Sequence, residues 1–334
     1  MTQETGAICT ALLTVLALLL ASPAPAQDGP VRQWLKERRQ QRQQPPPAGP
    51  LAPGDHRFTL QHDGLARAYR VHVPASYLAQ RPAALLVALH GGGGNMDFQA
   101  DDSKYGLLSK SEREGFVVVF PNGYSKLASG KFATWNAGRC CGAARDAKVD
   151  DVGFIREVVA RVSTQLDIDP QRVYATGMSN GGLMAYRLAC EASDVFSAIA
   201  PVAGTDNTVS CTPARPVSVL HIHAKNDSHV LFEGGAGPDS VARHLVTDFT
   251  SVPDSVAKWA ALNGCAATPP KRVLEKPGAY CEEHAPCRGG ARVQSCVTES
   301  GGHSWPGGTK ARAAESPSTA ISANDVMWEF FSRR

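Results

Sequence analysis

The sequence predicts an α/β fold, in which a mostly parallel central sheet has helices on both faces and an antiparallel hairpin at its start. Short apolar runs alternate with helix-like segments from residue 84 onward, which is the pattern of buried parallel strands joined by helices. Before them, two segments of alternating apolar and polar residues flank Asp63-Gly64, a dipeptide typical of a tight hairpin turn. We place this domain at residues 54–334.

The apolar runs and the helix-like segments follow one another in order along the chain. The first helical segment, Asp150–Leu166, places Val152, Ile155 and Val159 on one helical face, which is the spacing of a helix packed on a sheet. The other helices are expected within Ser179–Cys190, Pro253–Asn263 and Ala323–Ser332, and the strands within Ala84–Gly94, Gly115–Gly123, Arg172–Gly182, Ser197–Gly204, Val217–Asp227 and Arg292–His303.

The first 53 residues are expected to lie outside this domain. An apolar run, Ala7–Ala21, followed by Ala24 and Ala26 predicts a secretory signal peptide at residues 1–26, with an uncleaved membrane anchor as the alternative. Residues 27–53 are basic and rich in proline and glutamine, which predicts a disordered tail. We expect the protein to be secreted or periplasmic, and no membrane span is expected elsewhere in the sequence.

The net charge of +3 is explained by the tail alone. Its segment Asp28–Arg42 holds five basic and two acidic residues, so the remainder of the chain is close to neutral. A nearly neutral domain gives no indication of nucleic-acid binding.

The cysteines favour an exported, disulfide-bonded domain. Eight remain when the signal peptide is removed, and an even number in an exported chain is typical of disulfides. Zinc is not expected, because the chain has no Cys-x₂-Cys spacing. The pairs that we expect are Cys190–Cys211, Cys265–Cys296 and Cys281–Cys287, which leaves Cys140 and Cys141 to each other or to a reshuffled pairing scheme.

Ser179 is the candidate nucleophile. It lies in Gly177-Met-Ser-Asn-Gly181 between a predicted strand and a predicted helix, which is the context of a nucleophile elbow. Such a turn is too tight for Cβ atoms at its glycine positions, and the helix that follows offers free N–H groups to a developing negative charge. A purely structural glycine turn is the alternative, and the choice between the two depends on whether the sequence also supplies the partners that a catalytic serine needs.

A glycine-rich loop, His90–Gly94, provides the first of these partners. It follows an apolar strand, as does the loop that donates an N–H group to the oxyanion in hydrolases with such an elbow. We predict the N–H groups of Asn180 and Gly92 as the two oxyanion donors, with Gly91 as the next choice for the second. His90 is expected to anchor the loop and not to act as a base.

Asp227 and His303 complete a predicted catalytic triad. Asp227 follows the strand that ends at His223, where a carboxylate can fix the tautomer of a histidine. His303 follows the last strand in a glycine-rich loop, and the order Ser179, Asp227, His303 is that of a large class of serine hydrolases. Three other acidic residues are possible substitutes for Asp227 but follow a strand less closely: Asp239, Asp248 and Asp254.

Other residues are open to more than one interpretation. We expect His221 and His223 to face opposite sides of their strand, which argues against a metal pair. Trp135 and Trp305 are candidate substrate-binding residues, and support of the catalytic loops is the alternative role for both. Two further residues, Asp150 and Asp151, are expected to cap a helix.

Several longer stretches carry a family resemblance. They are LHGGGGN, FPNG, TWNAGRCCG, VDDVGFI, VYATGMSNGGLMAYRLAC, IAPVAG and GGHSWPGG. These stretches resemble the exported esterases of the poly(3-hydroxybutyrate) depolymerase family, a group that also includes feruloyl and acetylxylan esterases of carbohydrate esterase family one. The resemblance covers roughly Arg57–Arg334 and implies an α/β-hydrolase fold with Ser179, Asp227 and His303 as the triad.

The sequence therefore predicts a secreted serine esterase that cleaves hydroxyalkanoate (oligo)esters through an acyl-enzyme, without metal or cofactor. The alternative within the family is a feruloyl or acetylxylan esterase that acts on plant polysaccharide esters. A serine peptidase of the same fold and a non-catalytic envelope binding protein are alternatives of other kinds. The oligomeric state stays open.

Overall fold

The computed structural model describes residues 49–309 and 315–333, and one mixed sheet organises them. Within these residues it has ten strands: β1 Gly54–His62, β2 Leu65–Val73, β3 Ala83–Leu89, β4 Val117–Pro121, β5 Ile168–Met178, β6 Ala198–Val202, β7 Ser218–Ala224, β8 Lys271–Lys276, β9 Ala279–His284 and β10 Val293–Thr298. Their spatial order is β1-β2-β4-β3-β5-β6-β7-β10-β9-β8. The block from β4 to β10 is parallel, and two strands at each edge are antiparallel. The predicted α/β fold with its starting hairpin is confirmed.

Helices cover both faces of the parallel block. Capping side chains fix where several of them begin; Ser251, for example, accepts a hydrogen bond from the N–H of Asp254 at 3.0 Å. The four helices that the sequence predicted lie within one residue or so of the expected bounds, and four short ones between β3 and β5 were not predicted. The helices are α1 Met96–Gln99, α2 Asp102–Tyr105, α3 Leu107–Glu114, α4 Gly142–Asp146, α5 Asp151–Gln165, α6 Asn180–Glu191, α7 Val252–Leu262 and α8 Ala323–Ser332.

Two hydrophobic layers form the core, one on each face of the sheet. All residues of β3 and β4 are buried, as expected for parallel strands covered on both sides. Val87 and Val119 pack into the layer that α5, α6 and α7 cover, and Leu86 and Val118 pack into the layer that α3 and α8 cover.

The hairpin of β8 and β9 was missed by the sequence analysis. β8 reads Lys-Arg-Val-Leu-Glu-Lys and is exposed at five of its six residues, so it lacks the alternation that marks a half-buried strand. Charged side chains on an edge strand hinder pairing with other chains. The same charged residues remove the apolar–polar alternation by which the strand could have been predicted from the sequence.

Two of the expected disulfides are wrong. The pair Cys190–Cys211 forms as predicted, and Cys140 and Cys141 pair with each other. Cys281 pairs with Cys296 because the two stand directly opposite each other on β9 and β10. Because the N–H of Ala266 donates to the carbonyl of Pro286, the end of α7 lies beside the loop after β9, and this brings Cys265 to Cys287.

The predicted signal peptide and the tail up to residue 48 lie outside the described residues, so both remain predictions. Among residues 49–309 and 315–333, no helix combines the length and apolar character needed to cross a bilayer.

Candidate active site

The candidate site lies at the carboxyl edge of the parallel block, where the direction of the chain connections reverses. β3 and β5 are neighbours, but the chain leaves β3 towards β4 on one side and leaves β5 towards β6 on the other. Ligands of open α/β sheets bind at such a switch point. The glycine loop follows β3 and Ser179 follows β5, so both lie at this point, and Asp227 and His303 follow β7 and β10 at the same edge.

Ser179 occupies a sharp turn between β5 and α6. Its φ of 56° and ψ of −121° lie in a region that side chains other than glycine rarely adopt. Two hydrogen bonds fix the turn: the N–H of Ser179 donates to Val202 O at 2.8 Å, and the N–H of Leu183 donates to Ser179 O at 2.9 Å. The geometry is that of the predicted elbow.

Glycines make room for this turn. A Cβ atom at Gly177 would lie 2.6 Å from the carbonyl of Gly181, and one at Gly181 would lie 2.3 Å from Leu89 O. A third glycine, which the sequence analysis did not single out, is Gly204 after β6, where a Cβ would lie 2.3 Å from Ser179 O. Each clash is with backbone, which cannot rotate away.

The glycine loop packs directly on the elbow. A Cβ at Gly91 would lie 3.7 Å from Ser179 Cβ, and one at Gly92 would lie 3.5 Å from Asn180 Cβ. Asn180 is the first residue of α6, where a backbone N–H has no acceptor inside the helix. The structure therefore brings together the loop and the helix end that were predicted to hold the oxyanion.

Backbone hydrogen bonds within the loop narrow the choice of donors. Gly93 N–H donates to Ala133 O at 2.8 Å, and Gly94 N–H donates to Gly91 O at 3.0 Å. These two amides are therefore engaged, which leaves the amides of Gly91 and Gly92 as the loop's candidates for an oxyanion.

His90 anchors the loop, in accord with its expected role. It is fully buried, its Nδ1 lies 2.8 Å from Gly91 O, and its Nε2 accepts from the N–H of Gly123 at 2.9 Å. Because Gly91 O can only accept, Nδ1 carries the proton. Burial is the main cause that lowers the pKa of His90 to about 4. The hydrogen bond to Gly91 raises this pKa, and the charge of Arg67 lowers it further.

Asp227 and His303 form the acid–base part of the site. His303 Nδ1 lies 2.8 Å from Asp227 Oδ2, and the backbone N–H groups of His229 and Val230 donate to Asp227 Oδ1 at 2.8 and 3.0 Å. Burial by itself raises the pKa of Asp227, but the charge of His303 and hydrogen bonds from His223 and His303 outweigh it. They hold the pKa well below its usual range.

The loop that carries His303 is held on both sides of the imidazole. Gly302 N–H donates to Asn226 Oδ1 at 3.0 Å, and Ser304 Oγ donates to Gly301 O at 2.6 Å. Since Nδ1 is bonded to Asp227, Nε2 is the nitrogen that remains for a substrate or nucleophile.

His229 was not recognised in the sequence. Its ring stacks on that of His303 with the centroids 4.6 Å apart and the planes 15° from parallel. Asp227, His229 and His303 each offer one ligand atom, and these atoms lie within 4.8 Å of one another, so the three could hold a metal ion. Asp227 and His303 are, however, bonded to each other in the way a triad requires.

The expectation for His221 and His223 is wrong. Residues i and i+2 of a strand share a face, and the two rings stack with their planes 8° apart and their nitrogens 3.1 Å apart. His223 Nε2 also lies 3.2 Å from Asp227 Oδ2. The His-x-His spacing on a strand that leads to Asp227 was the signal that could have found this contact.

Trp135 has the supporting role and not the lining one. Its side chain is fully buried, its Nε1–H donates to His90 O at 2.9 Å, and its ring packs on that of His90. The side-chain amide of Asn180 makes two hydrogen bonds to the backbone of Trp135: Oδ1 accepts from Trp135 N–H at 2.7 Å, and Nδ2 donates to Trp135 O at 3.0 Å. Trp135 thus holds the glycine loop against the elbow.

Trp305 is also buried, with 3% of its surface exposed. Its Nε1–H donates to Asn324 Oδ1 at 3.1 Å, and its ring meets Tyr105 edge-on. This residue therefore joins the His303 loop to α8 and α2, which is again support.

Asp150 and Asp151 differ in their roles. Asp150 caps α5, as predicted, by accepting from Gly153 N–H at 2.9 Å. Asp151 instead is fully buried, pairs with Arg67 at 2.6 Å and accepts from Asn136 N–H at 2.8 Å. Burial raises the pKa of Asp151, although the charge of Arg67 opposes it.

An elbow serine after a central parallel strand, with an Asp–His pair after two later strands of the same sheet, defines an α/β-hydrolase. The family model described as "Esterase PHB depolymerase" matches residues 67–236, just over half of the chain. The protein belongs to this family.

Individual relatives agree with this assignment. A putative esterase, NocK, of Nocardia uniformis subsp. tsuyamanensis is 30% identical over 258 residues, which are 74% of this chain and 72% of that protein. Feruloyl esterase B of Piromyces equi is 30% identical over 242 residues, which are 70% of this chain but only 42% of that protein. The chain thus spans less than half the length of this second relative.

Among solved structures, an acetyl xylan esterase from Aspergillus awamori aligns with a TM-score of 0.57 at 14% identity. The alignment covers 83% of this chain and 98% of that one. At this identity the likeness concerns the fold, and it agrees with the α/β-hydrolase architecture.

Proposed function

We propose that the protein is an exported esterase that cleaves carboxylic esters by two-step acyl transfer, with Ser179, His303 and Asp227 as its triad. The observation that carries this proposal is the Asp227–His303 pair, 2.8 Å apart, at the same sheet edge as the Ser179 elbow. Its buried carboxylate is bonded on both oxygens, which orients the imidazole so that Nε2 can serve as the base.

In the first step, His303 Nε2 takes the hydroxyl proton of Ser179 while Oγ attacks the ester carbonyl carbon. The carbonyl oxygen becomes an oxyanion that accepts from the N–H groups of Asn180 and Gly92. The bond to the alcohol oxygen then breaks, and His303 gives its proton to the leaving alcohol. In the second step, water loses a proton to His303 Nε2 and attacks the acyl carbon. The bond from that carbon to Ser179 Oγ then breaks, His303 returns the proton to Oγ, and the acid leaves.

For the substrate we propose hydroxyalkanoate (oligo)esters, and the family that the chain belongs to supports this choice. The alternative, feruloyl or acetyl esters of plant polysaccharide, is supported by the names of several relatives, which include feruloyl esterases C of Aspergillus species. Phe132 is 73% exposed and precedes Ala133, whose backbone pairs with Gly94. An exposed aromatic beside the glycine loop suits an apolar acyl group in either case.

The catalytic assignment predicts that Ser179→Ala loses roughly 10⁴-fold or more of kcat on p-nitrophenyl esters, because the covalent step is removed. The variant should keep the melting temperature of the wild type to within a few degrees. Ser197→Ala, which removes a hydroxyl bonded to Val173 O, is the matched control and should retain activity. Substantial esterase activity in Ser179→Ala would contradict the proposal.

Three comparisons separate the alternatives. Methyl ferulate, acetylxylan and 3-hydroxybutyrate oligomers, assayed with the purified chain, identify the ester. Hydrolysis of aminoacyl-naphthylamides in preference to p-nitrophenyl esters would indicate a peptidase. Absence of Ser179-dependent labelling by a fluorophosphonate would indicate a binding protein. Sequencing the N-terminus of the exported protein tests the proposed cleavage after Ala26.

A further inference from the structure

A chain of buried polar side chains runs from the helix behind Ser179 to the carboxylate of Asp227. Tyr186 Oη lies 2.8 Å from His221 Nδ1, and His221 Nε2 lies 3.1 Å from His223 Nδ1. His223 Nε2 in turn lies 2.9 Å from Val230 O and 3.2 Å from Asp227 Oδ2. The two histidines and the tyrosine are all buried. The mechanism above uses none of these three side chains.

The direction of every hydrogen bond in this chain follows from one atom. Val230 O can only accept, so His223 Nε2 must carry a proton. A neutral His223 then has an acceptor at Nδ1, which requires a proton on His221 Nε2. His221 Nδ1 is thereby an acceptor, and the donor to it is the hydroxyl of Tyr186.

Burial favours a neutral His221 over a charged one. A buried imidazolium would lose its hydration, and among the described residues the polar groups that contact the His221 ring are the hydroxyl of Tyr186 and the imidazole of His223. Burial, with a smaller contribution from His223, holds the pKa of His221 well below its usual range. Burial also raises the pKa of Tyr186 well above its usual range.

We propose that His223 is a positioning residue for Asp227, and that His221 and Tyr186 fix its tautomer so that its Nε2–H is shared between Val230 O and Asp227 Oδ2. The proposal rests on the proposed function of Asp227 in the triad. His303 Nδ1 and His223 Nε2 approach the same carboxylate oxygen from two directions, and two backbone amides hold the other oxygen. The carboxylate therefore cannot rotate without breaking one of these contacts.

The chain also connects the two parts of the site. Tyr186 belongs to α6, the helix that begins directly after Ser179, and His221 and His223 belong to β7, which leads to Asp227. The nucleophile and the acid are thus linked through buried hydrogen bonds as well as through the sheet. A buried network in which each member is bonded to the next specifies one arrangement of its ends.

The first test is nitrogen-15 NMR of the histidine rings in the full chain at pH 7. His223 and His221 should both appear as neutral imidazoles protonated at Nε2, with His223 assigned through the signal lost in His223→Gln. A proton on Nδ1 of His223 would overturn the proposal, because it reverses the chain.

The second test is kinetic, with p-nitrophenyl butyrate and with rates normalised to active sites counted by fluorophosphonate labelling. His223→Leu should lower kcat roughly 10- to 100-fold, the worth of one hydrogen bond to a charged group, with KM within about twofold. It should also move the acidic limb of kcat/KM to higher pH, because this donor helps to hold down the pKa of Asp227 and the carboxylate is a stronger acceptor without it. If His223 were needed only for folding, its replacement would lower the number of active sites counted by labelling and would leave the acidic limb of kcat/KM where it is in the wild type.

His223→Gln keeps an N–H donor at about the same place and should recover most of kcat and the wild-type limb. Tyr186→Phe should lower kcat in the same direction by a smaller factor. Its matched control is Tyr174→Phe, which removes a buried hydroxyl bonded to Phe331 O outside the chain and should leave kcat per active site unchanged.

The outcomes separate the two proposals. Activity in Ser179→Ala would refute the proposed function. An inactive Ser179→Ala together with a His223→Leu variant that keeps kcat and the acidic limb would refute only the role of His223, as would a His223→Gln variant no better than His223→Leu. If His223→Leu does not fold, the NMR measurement and the comparison of Tyr186→Phe with Tyr174→Phe decide.

Discussion

The nucleophile side of the site and its acid–base side are built in different ways. Ser179 is positioned by backbone, namely glycines without room for a Cβ, a strained φ and the end of a helix, and the buried side chains of His90 and Trp135 hold the glycine loop against it. Asp227 and His303 are positioned by side-chain hydrogen bonds between loops that follow β7 and β10. The nucleophile side should therefore be sensitive to substitutions that add a Cβ atom at a glycine. The acid–base side should be sensitive to substitutions that remove a hydrogen-bond donor or exchange a donor for an acceptor.

The largest effect is expected on the acid–base side, from Asp227→Asn. The backbone amides of His229 and Val230 will keep Oδ1 as their acceptor, so the new NH₂ group must face His303 Nδ1. This forces the proton of His303 onto Nε2, where it can no longer accept from Ser179, and kcat should fall by about 10⁴-fold.

The control for Asp227→Asn is Asp248→Asn, which tests a substitute that the sequence left open. Asp248 has 86% of its side chain exposed and pairs with Arg243, so its replacement should leave kcat unchanged. A large loss in Asp248→Asn with none in Asp227→Asn would reverse the assignment of the acid.

The same contrast explains which features were predictable from the sequence. Ser179, its glycines and the loop at His90 lie in short contiguous motifs, because strand, turn and helix are set by neighbouring residues. The pairing of Cys281 with Cys296 depends on the register of β9 and β10. β9 forms a hairpin with β8, whose charged residues kept that hairpin from being recognised in the sequence. No local pattern reports such a register.

Long-range packing also decided the roles that the sequence left open. Trp135 and Trp305 were equally compatible with lining and with support, and only their burial against His90 and Asn324 distinguishes the two. Asp151 stands beside a cap in the sequence but turns inward to Arg67, a residue of β2 far away along the chain. The contact of His223 with Asp227 could have been predicted, because the strand was predicted correctly and residues two apart on a strand share a face.

An intermediate effect is expected on the nucleophile side, from Gly181→Ala. The added Cβ would lie 2.3 Å from Leu89 O, so the elbow or β3 must move, and the free energy of unfolding should fall by about 3 kcal/mol or more. Urea unfolding measures this change. Gly92→Ala is the comparison, because its Cβ would make an ordinary contact of 3.5 Å with Asn180 and should cost less than about 1 kcal/mol. Equal losses in the two variants would contradict the view that close backbone packing builds this side.

The smallest effect, taken per pH unit, is that of acid, to which the two sides should respond in different pH ranges. The folded-state pKa of His90, about 4, lies below the value of about 6.5 for an unfolded histidine. As the pH falls, the unfolded state therefore binds a proton first. The contribution of neutral His90 to stability is complete above about pH 6.5 and is lost as the pH falls towards 4, at up to about 1.4 kcal/mol per pH unit.

Asp227 loses stability in the same direction but at lower pH, because its folded-state pKa is depressed below an unfolded value of only about 3.9. Its contribution is present above about pH 4 and is lost only below it. Of these two groups, only His90 should change the free energy of unfolding measured in urea between pH 7.5 and 4.5. His90→Gln should therefore make the plot of that free energy against pH less steep than in the wild type. His221, whose pKa is also lowered, contributes to both proteins and cancels in this difference. A His90→Gln variant with the wild-type slope would show that His90 is not the buried titrating anchor of the loop.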